Sequence, residues 1–221
     1  MHLKIWRKNI LSLAALGALA TTVVSLGLAV AQEKKSESTN RVPDVIYVPT
    51  PQPVVDKMLE MAEVKKGDVV YDLGCGDGRI VVTAAKKYGV KAIGFDIDPQ
   101  RVKEALANVK SNKVEHLVTI KQEDIFKLDL REASVVTLYL LPDLNVRLMP
   151  QLAKLKPGSR IVSHDFDMRG AKPVQTHQMS TNGDNEDDHS GSHSIYKWVV
   201  PWEAEAPDQP KKLETAPDSK P

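Results

Sequence analysis

The spacing of apolar positions changes period several times along this 221-residue chain. Behind Pro53, which suits a first helical turn, Val54, Val55, Met58, Leu59 and Ala62 recur at helical spacing, so a helix is predicted over residues 53–64. Lys65-Lys66-Gly67-Asp68 reads as a turn. A short apolar run over residues 69–73 predicts a strand, and residues 79–88 predict a helix ended by Gly89. The alternation continues with a strand at 90–97, a helix at 99–110 and a strand at 114–121. A strand at 134–140, a helix at 144–155 that stops near Pro157-Gly158, and a strand at 159–166 follow. Strands alternating with helices imply a parallel sheet covered on both faces. The rhythm then breaks. Residues 172–179 and 193–200 both read as strands, with only the polar, acidic "STNGDNEDDHSG" between them. Two strands with no crossover helix run antiparallel, so a long hairpin is expected at the sheet edge.

The ends differ from this middle part. Lys4, Arg7 and Lys8 precede an uncharged stretch that ends Ala29-Val30-Ala31, the small-x-small pattern of a signal-peptidase site. Residues 1–31 are therefore expected to be an export signal cleaved after Ala31, which makes the protein extracytoplasmic. The alternative is a membrane anchor, because residues 10–31 are long enough to span a bilayer of about 30 Å. Residues 32–41 form a polar linker. The domain is expected over 42–202, roughly 160 residues and enough for a buried core. Its first part, 42–52, is extended, because prolines 43, 49 and 51 hold the residues before them out of the helical region. Residues 203–221 lead into a polar, proline-rich tail read as disordered. The net charge of +1 gives no global field that favours nucleic acid. The single cysteine, Cys75, rules out an internal disulfide.

The chemistry is concentrated in "VVYDLGCGDGRIVV", residues 69–82. Gly74, Gly76 and Gly78 follow the first strand on alternate positions, and Asp72 stands two residues before them. A strand, a glycine-rich turn and a helix place backbone N–H groups at the carboxyl end of a strand, where open parallel sheets bind ligands. A dinucleotide site uses Gly-x-Gly-x-x-Gly, but the position three after Gly76 is Arg79. An acid so close to the turn repels a pyrophosphate, whereas it can hold a cationic amino group. Asp96 ends the next strand about 20 residues on, where a carboxylate reaches ribose hydroxyls. The expected ligand is a nucleoside with a positively charged, phosphate-free arm, and S-adenosylmethionine fits that description.

At these residues the chain resembles the class I S-adenosylmethionine-dependent methyltransferases. "YDLGCGDGR" looks like their first motif, "GFDIDP" like their second, and "QEDIF" like their third, whose acid, here Asp124, sits near the adenine amino group. The resemblance implies an α/β, Rossmann-like fold with sheet order 3-2-1-4-5-7-6 and a terminal antiparallel hairpin. A narrower likeness lies in "YVPTP", "VVTLYLLPDLN" and "LKPGSRIVSHDFDM". These are similar to the lysine methyltransferases that modify the ATP synthase c-ring protein and the adenine nucleotide translocase, and to their bacterial relatives. That likeness implies N-methylation of lysine in a protein substrate, including a membrane protein. Two features depart from the pattern: the acidic loop before the last strand and the cleavable N-terminal segment. A small-molecule methyltransferase remains the alternative. So does an exported module that binds cofactor or partner without catalysis, because S-adenosylmethionine is made in the cytosol.

Methyl transfer to lysine needs a neutral amine aligned with the sulfonium methyl. Burial lowers an amine pKa, and a carbonyl or tyrosine hydroxyl can orient its lone pair. Tyr139, at the end of the fourth strand, is one candidate; the competing reading is a tyrosine packed on a helix. Tyr47 and Thr50 are the others, because a proline-stiffened segment can lie across the pocket; the competing reading is a simple strap. "SHDFD" places His164, Asp165 and Asp167 at the end of the fifth strand, where a third metal ligand has no defined spacing, so a hydrogen-bonded role is expected. His177, His189 and His193 with Asp184, Asp187 and Asp188 lack zinc-finger or EF-hand spacing and read as a solvated loop. No metal site is assigned. Cys75 fits its turn by being small.

Overall fold

The computed structural model describes residues 46–183 and 190–205. The segments read as signal or anchor and as linker lie outside them. No helix among the described residues is long and apolar enough to cross a membrane.

The elements run α1 (Gln52–Met61), β1 (Val69–Leu73), α2 (Arg79–Tyr88), β2 (Lys91–Asp96), α3 (Pro99–Ser111), β3 (Val118–Gln122), β4 (Val135–Leu138), α4 (Pro142–Leu152) and β5 (Arg160–His164). Then come β6 (Ala171–Lys172), β7 (Gln175–Thr181), β8 (Gly191–Val199) and β9 (Glu203–Ala204). One seven-stranded sheet has the order β3-β2-β1-β4-β5-β8-β7. Its first five strands are parallel, while β8 runs antiparallel to β5 and β7 antiparallel to β8. With the short β6 set aside, this is the expected order with its terminal hairpin. The chain winds outward from β1 to β3, then returns to lay β4 and β5 on the other side. The crevice between the carboxyl ends of β1 and β4 is therefore the switch point where such sheets bind ligands.

Both faces are covered, as continuous apolar strands require. Val70 of β1 and Val135 of β4 face a core built with α1, α2 and α3. Their neighbours Tyr71, Leu73, Val136 and Leu138 face the other side, where Leu148 and Leu152 of α4 pack with Trp198. The buried Trp198 indole N–H donates to the Ala171 carbonyl at 2.8 Å.

Three boundaries differ from expectation. β3 begins at Val118 rather than at residue 114, because Leu117 and Val118 both donate to the Val114 carbonyl in a turn. Helix α4 begins at Pro142, two residues earlier than expected, since proline suits the first turn. The strand expected over 172–179 is two: Pro173 has no N–H to donate, and β6 leaves the main sheet to pair with β9. That pairing corrects the domain boundary at residue 202. Glu203 and Ala204 belong to the fold, although both are exposed and read as tail.

Candidate active site

The strand ends open onto a cavity of about 520 Å³, within the usual size for small-molecule sites. Tyr47, Thr50, Asp72, Gly74, Asp96, Asp124 and Tyr139 all line it. Gly76 and Gly78 are not among its lining residues.

Each glycine of the turn meets a different part of the chain. All three have left-handed backbone, with φ of 83°, 53° and 77° at Gly74, Gly76 and Gly78. A Cβ on Gly74 would press on Leu140 at 3.1 Å. One on Gly78 would press on Ala105 of α3 at 3.0 Å, so Gly78 lets α2 and α3 pack closely while it caps α2. A Cβ on Gly76 would overlap the ring of Tyr47. What approaches the backbone of residue 76 is thus the N-terminal segment of the chain. Gly76 also holds an acid: its N–H donates to Asp96 Oδ2 at 2.9 Å.

The acids stand in different surroundings. Asp72 is buried, and Thr137 Oγ1 donates to its Oδ1 at 2.7 Å. No cation among the described residues pairs with it, and burial pushes its carboxyl up to about 7, with Asp96 and Asp77 adding repulsion against the Thr137 bond. A buried carboxylate that lacks a cation fits the ammonium of an amino-acid arm. Burial also raises Asp96, although the N–H groups of Asp98, Gly76 and Ile97 oppose the rise. Asp98 N–H donates to its Oδ1 at 3.0 Å, and a carboxylate has about four acceptor sites, so ribose hydroxyls can still be bound. Asp124 accepts from Phe126 N–H at 3.0 Å, which fixes its carboxylate at the pocket edge.

The extended N-terminal segment is tied over the glycine turn. Arg79 donates from Nη1 to the Thr50 carbonyl at 2.9 Å. Its Nε and Nη2 clasp Asp77 at 3.0 and 2.8 Å. The Arg101 guanidinium lies 4.5 Å from the Tyr47 ring centre. Burial, then the Asp77 charge, pushes the Tyr47 hydroxyl up to about 12. Tyr47 therefore stays a phenol at neutral pH and can orient a group but not act as a base. Tyr139 is half-buried and its ring lies 3.9 Å from that of His164, tilted by 33°. Burial and the Asp165 charge raise its hydroxyl too. Thr50 Oγ1 is 3.2 Å from the other side of His164, at Nδ1. The three expected acceptor-side residues thus share one rim.

His164 and Asp165 lie together as the spacing suggested, but their neighbour is His193, from the hairpin. Asp167 is apart, its carbonyl accepting from Asn145. Asp184, Asp187, Asp188 and His189 lie outside the described residues. Cys75 is buried, and burial raises its thiol well above the ordinary value, consistent with an unreactive small residue. Asp77 and Arg79, which hold the strap, and Phe126, Leu144 and Phe166, which form apolar walls, were not expected at the site. The Asp-x-Arg spacing in the turn was a readable signal for the first pair. The apolar walls carried none, because any core residue looks the same.

The crevice at the switch point, the buried Asp72 with no cation beside it among the described residues, and Asp96 at the end of β2 are the site of a class I S-adenosylmethionine-dependent methyltransferase. Comparison with known proteins agrees. A family model described as the ANTKMT methyltransferase domain matches residues 72–175. A protein-lysine N-methyltransferase of Saccharolobus islandicus is 47% identical over 161 residues, covering 72% of this chain and 96% of that protein. A Xenopus laevis lysine N-methyltransferase named for the c-type subunit of ATP synthase is 29% identical over 165 residues, 72% of this chain and 70% of that protein. A crystal structure described as an RNA methyltransferase from Salinibacter ruber in complex with S-adenosyl-L-homocysteine is 47% identical, with a TM-score of 0.62. It spans 73% of this chain and 98% of that one. The chain belongs to the ANTKMT-domain family of S-adenosylmethionine-dependent methyltransferases.

Proposed function

We propose that this enzyme N-methylates lysine side chains of a protein substrate. The observation that carries this reading is the 47% identity to a protein-lysine N-methyltransferase across 96% of that relative's length. The site is consistent with it. S-adenosylmethionine supplies a methyl group already activated on a sulfonium. Asp72 holds the ammonium, Asp96 the ribose, and the apolar walls from Ile97, Leu140 and Phe166 keep water out. What remains for the protein is to desolvate and aim the acceptor amine, which partial burial keeps neutral. Tyr47, Thr50 and Tyr139 supply hydroxyls on the rim for that purpose.

The name of the Salinibacter ruber relative favours a second acceptor, RNA. Against it, the cationic groups at the pocket, Arg79 and Arg101, are engaged with Asp77 and Glu104. The test is transfer of labelled methyl from S-adenosylmethionine into extracts of the source cell, with protease and nuclease treatment afterwards. Lysine methylation gives label that protease releases, nuclease leaves, and hydrolysis recovers as methyl-lysine. Nuclease-sensitive label, or label only in small metabolites, overturns the proposal.

Residues 1–31 support export or anchorage, and a membrane protein as substrate is part of the same proposal. Mass spectrometry of the native chain checks it: a start at Gln32 means export, a retained apolar stretch in the membrane fraction means anchorage, and a full-length chain in the soluble cytosol refutes both.

A further inference from the structure

We propose that His164, Asp165 and His193 bind one divalent first-row transition-metal ion. Among the described residues these are the three metal-ligating side chains whose donor atoms converge. His164 Nε2 and His193 Nδ1 are 2.9 Å apart. Asp165 Oδ2 is 3.2 Å from the first and 3.4 Å from the second. Zinc holds imidazole nitrogen at about 2.0–2.1 Å and carboxylate oxygen at about 2.0–2.2 Å, and at such lengths neighbouring ligand atoms stand roughly 3.3–3.5 Å apart at tetrahedral angles and roughly 2.9 Å apart at right angles. The triangle's edges fall between those limits, so one point just above its plane lies within ligand distance of all three donors.

The surroundings support the same reading. A metal-bound histidine normally donates its other ring N–H to a fixed acceptor, which sets its tautomer and orientation. His164 has Thr50 Oγ1 at 3.2 Å from Nδ1. His193 has Thr181 Oγ1 at 3.0 Å from Nε2. The other oxygen of Asp165 accepts from Ser194 N–H at 2.8 Å. Every ligand is thus held through the atom that does not face the ion.

Two lone pairs 2.9 Å apart repel, so without an ion one of the facing nitrogens carries its ring proton toward the other. With an ion, both imidazoles are neutral and carry N–H on the outer nitrogen, and two imidazoles and one carboxylate leave at least one position for water. The ion ties β5 to the hairpin strand β8, and through Thr50 it reaches the strap over the pocket. This inference is independent of which acceptor is methylated.

The test uses the full chain, purified without a histidine tag, stripped by chelator and then titrated with zinc. The wild type should retain about one zinc per chain after gel filtration and melt at higher temperature with zinc. Thr181→Val should weaken zinc affinity about 10- to 100-fold, and His193→Ala should abolish retention. If His193→Ala does not fold, the cobalt-substituted wild type decides: two contact-shifted exchangeable imidazole protons are expected in its NMR spectrum. A wild type that retains no metal and does not change its melting point overturns the proposal and leaves a proton-sharing histidine pair. So does equal zinc binding by Thr181→Val and His193→Ala, or a cobalt spectrum without shifted imidazole protons.

Discussion

The ring of Tyr47 lies over the backbone of Gly76 and fills the space a side chain there would need. Two effects therefore oppose any larger residue at 76: the overlap with the ring, and the left-handed backbone at φ 53°, which costs a non-glycine residue roughly 1–2 kcal/mol. A double-mutant cycle separates them. Gly76→Ala should be destabilising, and Tyr47→Ala in the same chain should restore the overlap part while the backbone part stays. The expected coupling in urea denaturation is about 1 kcal/mol or more, whereas additivity within about 0.5 kcal/mol would show that the two sites do not meet.

Asp72 predicts the pH dependence of cofactor binding. Its carboxyl is raised to about 7 by burial and by Asp96 and Asp77, against Thr137. The sign follows: the folded protein holds a proton that the unfolded chain gives up near pH 3.8, so this group's stabilising share is full below that value and is lost as pH rises through about 7. The ammonium of S-adenosylmethionine needs the ionised form. Calorimetry should therefore show affinity falling as pH drops below about 7, and Asp72→Asn should bind weakly at every pH. Asp72→Asn should also melt higher than wild type at pH 8 without ligand. A wild-type affinity that is flat from pH 5 to 8 would remove the ammonium from Asp72.

Asp96→Ala should weaken S-adenosylmethionine binding by roughly 10- to 150-fold, the loss of a charged hydrogen-bond contact of about 1.5–3 kcal/mol. The structure adds a cost to the fold. The same substitution frees the N–H groups of Gly76 and Asp98, so stability should also fall, by about 1 kcal/mol for each bond. Affinity by calorimetry and stability by denaturation are measured together. Reduced stability with unchanged affinity would mean that Asp96 only shapes the turn.

At the opposite end of the sheet, Arg160 Nη2 meets Asp68 Oδ2 at 2.6 Å, and Ser134 donates to Oδ1 at 2.7 Å. Burial acts to raise Asp68, but Arg160, Lys65 N–H and Ser134 together hold it below the ordinary range. Arg160→Met leaves that part-buried carboxylate without its cation and should cost about 1.5–3 kcal/mol, the range for a hydrogen bond to a charged group. The contribution is full above the ordinary carboxyl range and is lost as pH falls through the lowered folded value, so the gap to wild type should close in acid. A gap that persists unchanged at pH 2 would trace the loss to packing of the arginine stem instead.

Much of this architecture lay open in the chain because its signals are local. The strand–glycine–helix unit around Asp72, the acids Asp96 and Asp124 at the ends of β2 and β3, and the hairpin without a helix are each written within a few residues. A parallel sheet then lines up the carboxyl ends of its strands, so residues read one by one as strand-end acids arrive in one cavity. Gly89 ends α2 as expected for the same reason: the left-handed cap is a property of that residue alone. The remaining features join residues far apart, and no local period encodes them. Tyr47 reaches Gly76 because proline-stiffened chain returns over the turn, and Asp68 finds Arg160 across the sheet. β6 leaves the hairpin to pair with β9 through backbone groups that any sequence carries. His193 meets His164 and Asp165 because β8 runs antiparallel to β5 with His164 opposite Ile195. A slip of one residue in that pairing would turn His193 to the other face. Strand register is set by how two apolar faces bury against the rest of the core, which is a property of the packed sheet and of no single stretch of chain.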